Sequence, residues 1–195
     1  MPADARKHLA MYNFGLHVAA YESPEVEGFR LREAANFEAA ARAHGFVGRS
    51  GYAGEPDTAC WGEQVFPRFI EGSGFQTAPS SLSLWADIES LMAFTYSGVH
   101  ADALKYGRYW NVRQSWPPLV LWWVEAGAVP IWRDGVERLE HLNDYGASPR
   151  AFSFKQPYGP DGQPLEIDRP RIKDIVALNA ATQGELLAHV MTLKV

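Results

Sequence analysis

The stretch WPPLVLWWVEAG, residues 116 to 127, constrains the fold more than any other part of the chain. Successive residues of a strand point to opposite faces of a sheet. Leu119, Leu121 and Trp123 therefore share one face, and Val120, Trp122 and Val124 share the other. A sheet wetted on one side alternates apolar and polar residues, and this strand does not. Both of its faces need an apolar cover. One bare face would expose several hundred Å² around a tryptophan, more than a monomer usually tolerates.

The rest of the chain supplies partners for that strand. KHLAMYNFGLHV (7–18) reads as a first strand, and Ser23-Pro24 as the start of a helix over 25–43 that Gly45 stops. GFVGRSGYAG (45–54) reads as a second strand, followed by a long loop over 54–79 with a strand at 62–70. SLSLWAD (81–87) reads as a third strand, with Asp87 capping an amphipathic helix from Ile88 to Ala103. Gly98 sits inside that helix and predicts a kink or a close approach. A fourth strand (PPLVLWWV), a helix over 130–146 stopped by Gly146, and a short strand at 151–155 complete the pattern.

This order predicts an α+β chain: a ferredoxin-like antiparallel sheet with helices on one face. The other face is then expected to meet a second copy, forming a dimeric α/β barrel in which Trp122 and Trp123 look toward a helix layer and a barrel interior. Residues 1–158 form the expected core domain. Residues 159–195 read as an extension or arm, opened by four prolines between 157 and 170 and ending in two apolar helical pieces.

Bulk properties exclude several classes. A composition of 47% hydrophobic and 21% charged residues suits a globular chain. The net charge is −5 with lysine and arginine scattered, so no nucleic-acid partner is expected. The single cysteine, Cys60, supports neither a disulfide framework nor a cysteine-rich metal site. No segment is long and apolar enough for a membrane helix, and the first residues do not resemble a signal peptide, so a cytoplasmic location is expected. Phosphate- and dinucleotide-binding glycine motifs are missing. Glu137 and His141 stand one helical turn apart without an HExxH motif, so no metal is expected there.

The blocks SLSLWADIESLMAFTYSGVHADALKYGRYW, WPPLVLWWVEAG and WRDGVERLEHLNDYGASPRAFSFKQPY resemble the bacterial domain-of-unknown-function family numbered 3291. The resemblance covers about residues 7 to 158. It implies membership of the dimeric α/β-barrel superfamily and hence a homodimer. Relatives in that superfamily include cofactor-independent monooxygenases, isomerases, polyketide cyclases, haem-degrading enzymes and stress proteins, so the resemblance implies no single reaction.

His100 is the candidate catalytic residue, a general acid or base on the flank of the helix stripe, within a Ser-x-x-His block that marks the resembling family. Tyr96, Trp85, Trp110 and Trp123 are candidate walls of a pocket for a flat or apolar ligand, and His17 is placed to meet His100 across the sheet end. The alternatives are a helix-packing histidine and aromatic core filling. The expected function is a small-molecule enzyme without a cofactor, monooxygenase-, isomerase- or cyclase-like, acting on an apolar or aromatic substrate. The alternatives are a non-catalytic small-molecule-binding or stress protein, or non-covalent haem binding with His100 or His17 as axial ligand.

Overall fold

The computed structural model describes residues 7–194. The first six residues, assigned above to the core domain, and Val195 lie outside it. The chain divides into two compact units, one built on a sheet and one on helices, and it passes between them several times.

The sheet unit takes the chain up to Gly15, Val47–Ala86 and Gln114–Glu166. Its strands are β1 (Lys7–Phe14), β2 (Phe46–Arg49, entering from Phe46), β3 (Ser80–Trp85) and β4 (Leu119–Glu125). They form one antiparallel sheet in the order β2-β3-β1-β4. That is the strand order of the expected ferredoxin-like arrangement. In register, Ala10 stands between Leu84 and Trp122, and Tyr12 between Leu82 and Val120, so these residues share a face.

Helix α4 (Trp132–Tyr145) covers that face from within the same chain. The Trp132 ring meets Tyr12 edge-on at 6.2 Å, and the Arg138 guanidinium lies 4.9 Å from the Trp122 ring. Gly135 permits the close approach, because a Cβ there would come within 2.6 Å of Tyr12 Cβ and Cγ. Trp123, on the opposite face, donates its indole N–H to the Tyr158 carbonyl at 2.7 Å. The helix layer expected on one side of this strand is thus α4, which lies over Trp122. The sequence pattern of 130–146 showed the helix but not the face it would take.

Two other expectations in this unit change. Residues 62–70 form no strand; a single tight helical turn occupies Arg68–Ile70. It is pinned by stacking of Phe69 on Trp116 at 5.1 Å and by Glu140, which accepts from the Arg68 backbone N–H. Residues 151–155 take part in isolated bridges, Phe152 with Leu121, Ala151 with Ser148 and Ser153 with Gln156, in place of a strand.

The helical unit takes Leu16–Phe46, Asp87–Arg113 and the described chain from Ile167 onward. It holds α1 (Glu27–Ala41), α2 (Ile88–Thr95), α3 (Gly98–Trp110) and α5 (Arg169–Val190). Asp87 caps α2, accepting from the Ser90 N–H at 2.8 Å. The long helix expected from Ile88 breaks into α2 and α3 at Gly98, whose φ of 56° lies in the left-handed region. Ala35, Ala39, Val99 and Val190 form a buried cluster, with Phe94, Leu186 and Leu187 packed on it.

The tail from Ile167 belongs to the helical unit, where α5 packs on α1, α2 and α3. Its buried face carries Asn179 and Gln183 beside Ile175 and Val190. Asn179 Oδ1 accepts from the His44 N–H and Gln183 donates to the Ala39 carbonyl across the helix interface, while the buried Asn179 Nδ2 has no partner among the described residues.

Candidate functional site

Helix α3 carries most of the chemistry, and its two ends differ. At the N-terminal end, His100 is the third helical residue. Its Nδ1 lies 2.9 Å from the Thr95 carbonyl oxygen, which can only accept. Nδ1 therefore carries the proton, and Nε2 presents a lone pair that has no hydrogen bond among the described residues. The ring tilts against Phe94 at 4.9 Å and keeps part of its surface in solvent. Burial of most of the ring pushes its pKa below the usual value against the raising effect of the Thr95 carbonyl. Tyr96, exposed, stands in the break between α2 and α3.

At the C-terminal end, Asn111 caps α3 and holds a second imidazole. Asn111 Nδ2 donates to the Gly107 carbonyl at 3.1 Å, which turns its Oδ1 toward His17 Nδ1 at 3.0 Å. His17 is thus also protonated on Nδ1, and its buried Nε2 has no partner. Phe29 meets the His17 ring edge-on at 4.7 Å and faces Trp110 at 6.3 Å. Burial also lowers the His17 pKa, partly offset by the Asn111 bond.

Trp110 forms the floor of an open cleft of about 440 Å³, whose other walls are Pro24, Glu25, Tyr106 and Tyr109. The floor is rigid. Gly28 lies flat on the indole, so that a Cβ there would come 2.6 Å from Nε1. The Arg32 guanidinium sits 5.2 Å from both the Trp110 and Tyr106 rings. Arg32, 1% exposed, is itself held by Asp102 at 2.9 Å and by the carbonyls of Gly28, Leu193 and Lys194.

The candidate residues thus fall into three places. His17 and Trp110 share the C-terminal end of α3, linked by Phe29. His100 and Tyr96 lie at its N-terminal end, roughly 15 Å away for ten residues at 1.5 Å rise. Trp85 and Trp123 belong to the sheet unit, where Trp85 donates its indole N–H to Ser83 Oγ at 3.0 Å. His17 and His100 bond to different oxygens and do not contact each other. Glu25, Tyr106 and Tyr109 went unnoticed in the sequence, although Tyr106, Tyr109 and Trp110 stand at the three- and four-residue steps of one helix face. Among the described residues no cluster of three or more potential metal ligands occurs. No helix among them is long and apolar enough to cross a membrane.

No curated protein and no solved structure matches the chain. A family model described as "Domain of unknown function (DUF3291)" matches residues 8–177, beyond the 158 reached by the resemblance and into α5. Most of the sheet and all of α1, α2, α3 and α4 fall within that span, and the chain belongs to this family.

Proposed function

We propose that the protein binds a small organic molecule in the cleft at the C-terminal end of α3. The observation that supports this reading is a concave, aromatic-walled cleft: Tyr106 and Tyr109 stand toward solvent beside Trp110, which is itself 2% exposed and packed between Gly28 and Arg32. A cleft lined by aromatic rings and a few polar groups is a common form of small-molecule site. Titration with indole, followed by NMR of the Trp110 side-chain N–H, tests it. A saturable shift that weakens in Tyr109→Ala is expected. Saturation without any change at Trp110 would move the site elsewhere.

A second reading, an acid–base enzyme without a cofactor, draws on His100. A neutral imidazole with its tautomer set by Thr95 and a free Nε2 lone pair is equipped to take a proton from a bound molecule. Its distance from Trp110 separates the two readings. His100→Gln should leave indole binding intact and abolish turnover of any substrate found; equal loss of both would merge the sites.

A further inference from the structure

We infer that the α3 cleft selects an organic acid, a molecule with one carboxylate on an apolar body. This rests on the binding-site reading above and names the ligand class for the same cleft. The apolar body has Pro24 and the exposed Tyr109 to lie against, while the buried Trp110 only closes the bottom. The charge is set by two exposed side chains that ride on the outer walls. Lys105 Nζ lies 4.9 Å from the Tyr106 ring, and the Arg108 guanidinium lies 4.9 Å from that of Tyr109. Arg108 is also steadied by its neighbour, since its Nη2 donates to the Tyr109 phenol oxygen at 2.9 Å.

Neither cation has a carboxylate of its own. Arg30, Arg32, Arg42 and Arg171 of the helical unit each pair with one, whereas Lys105 and Arg108 pair with none among the described residues. Asp102, one turn before Lys105, is taken by Arg32. The carbonyl end of α3 does not serve in its place. The Gly107 oxygen accepts from Asn111, and the Trp110 oxygen accepts from the Val18 N–H. Lys105 and Arg108 therefore keep N–H donors for an incoming anion, and a charge-assisted bond to a carboxylate is the strong kind. Glu25, in the turn before α1, is the one carboxylate of the lining and opposes them. Two cations against one carboxylate leave the mouth of the cleft net positive on a chain of net charge −5. Glu25 also repels a second negative charge, so the ligand is a monoacid.

The test uses the full chain with indole-3-acetate, indole and tryptamine, one ring system carrying negative, zero and positive charge. Each is followed at the Trp110 side-chain N–H. Indole-3-acetate is expected to bind roughly 3–10-fold more tightly than indole, the range of two exposed ion pairs less the opposition of Glu25, with tryptamine no tighter than indole. That advantage should largely vanish in about 1 M salt, where the screening length is about 3 Å. Lys105→Gln and Arg108→Gln should each lower the ratio of indole-3-acetate to indole affinity by roughly 1.5–5-fold, and Glu25→Gln should raise it. The ratio cancels any general change in the cleft, so only the charge is read. Equal affinity for indole-3-acetate and indole, or tightest binding of tryptamine, overturns the inference while leaving the cleft a binding site. A ratio unchanged in both cation variants overturns it as well, because another group then holds the carboxylate. Failure of all three probes overturns the site itself.

Discussion

The two ends of α3 solve the same local problem differently. Each end carries a histidine that donates Nδ1–H to an oxygen and leaves Nε2 with a lone pair. At the N-terminal end the helix dipole and burial both oppose a charged imidazole beside the first turn. At the C-terminal end the dipole would favour the charge, yet His17 is still held below its usual pKa because burial is the larger effect. The lesson is that the surroundings of the ring outweigh its position on the helix. The ends differ in what lies beside the imidazole: part-open solvent at His100, and an aromatic floor at His17 and Trp110.

The largest expected effect comes from loosening the C-terminal end through Arg32. Arg32→Met would leave Asp102 without its buried partner and free the carbonyls after α5. Breaking such a pair costs about 3–5 kcal/mol. Urea unfolding should show the loss directly; a change under about 1 kcal/mol would mean that Arg32 does not hold this end together.

A smaller effect is expected at Gly28. A methyl group there collides with the Trp110 indole, and overpacking of this kind costs about 1–3 kcal/mol. Higher helix propensity returns up to about 1 kcal/mol. Gly28→Ala should therefore lower the melting temperature and also move the Trp110 resonance, whereas an unmoved resonance would mean that the floor is soft.

Acid should act on both ends. A histidine with a depressed folded pKa binds fewer protons folded than unfolded in the window just below the usual 6.5. Stability is then fully present above that value and declines as pH falls through the window. His17→Gln and His100→Gln should each remove part of this decline in denaturant midpoint between neutral and mildly acidic buffer. If one variant keeps the full decline, that end contributes none of it.

The smallest effect on stability belongs to Tyr109→Ala. Tyr109 is half exposed at 51%, so the melting midpoint should stay within about 0.5 kcal/mol of the parent while indole affinity falls. A large loss of stability would make Tyr109 a packing residue and remove it from the cleft.

Much of this fold was legible because local physics agreed with global structure. The doubly apolar strand, the Asp87 cap, the stop at Gly146 and the interruption at Gly98 all follow from residue chemistry that tertiary contacts did not override. The two apolar helical pieces of the tail join in the single helix α5, whose buried face mixes Ile175 and Val190 with Asn179 and Gln183, so its stripe is only partly apolar in the sequence. Arg32 escaped notice, since a charged residue is rarely buried without partners, and apart from the Gly28 carbonyl its partners Asp102, Leu193 and Lys194 lie 70 or more residues away.

The candidate site was legible only in pieces. His100, His17 and Trp110 stood out by residue type, and the Tyr106–Tyr109–Trp110 face was available from helical spacing. What their chemistry would be could not be read from spacing alone. The sequence by itself determined the four strands of the sheet, most of the helices and the need to cover both faces of β4, because each depends on a period or a residue's own backbone preference. Tertiary structure alone decided that α4 would cover Trp122, that Gly28 would press on Trp110, and that His17 would keep an unpartnered nitrogen. Those outcomes depend on which distant surfaces meet, and no short stretch of chain encodes that.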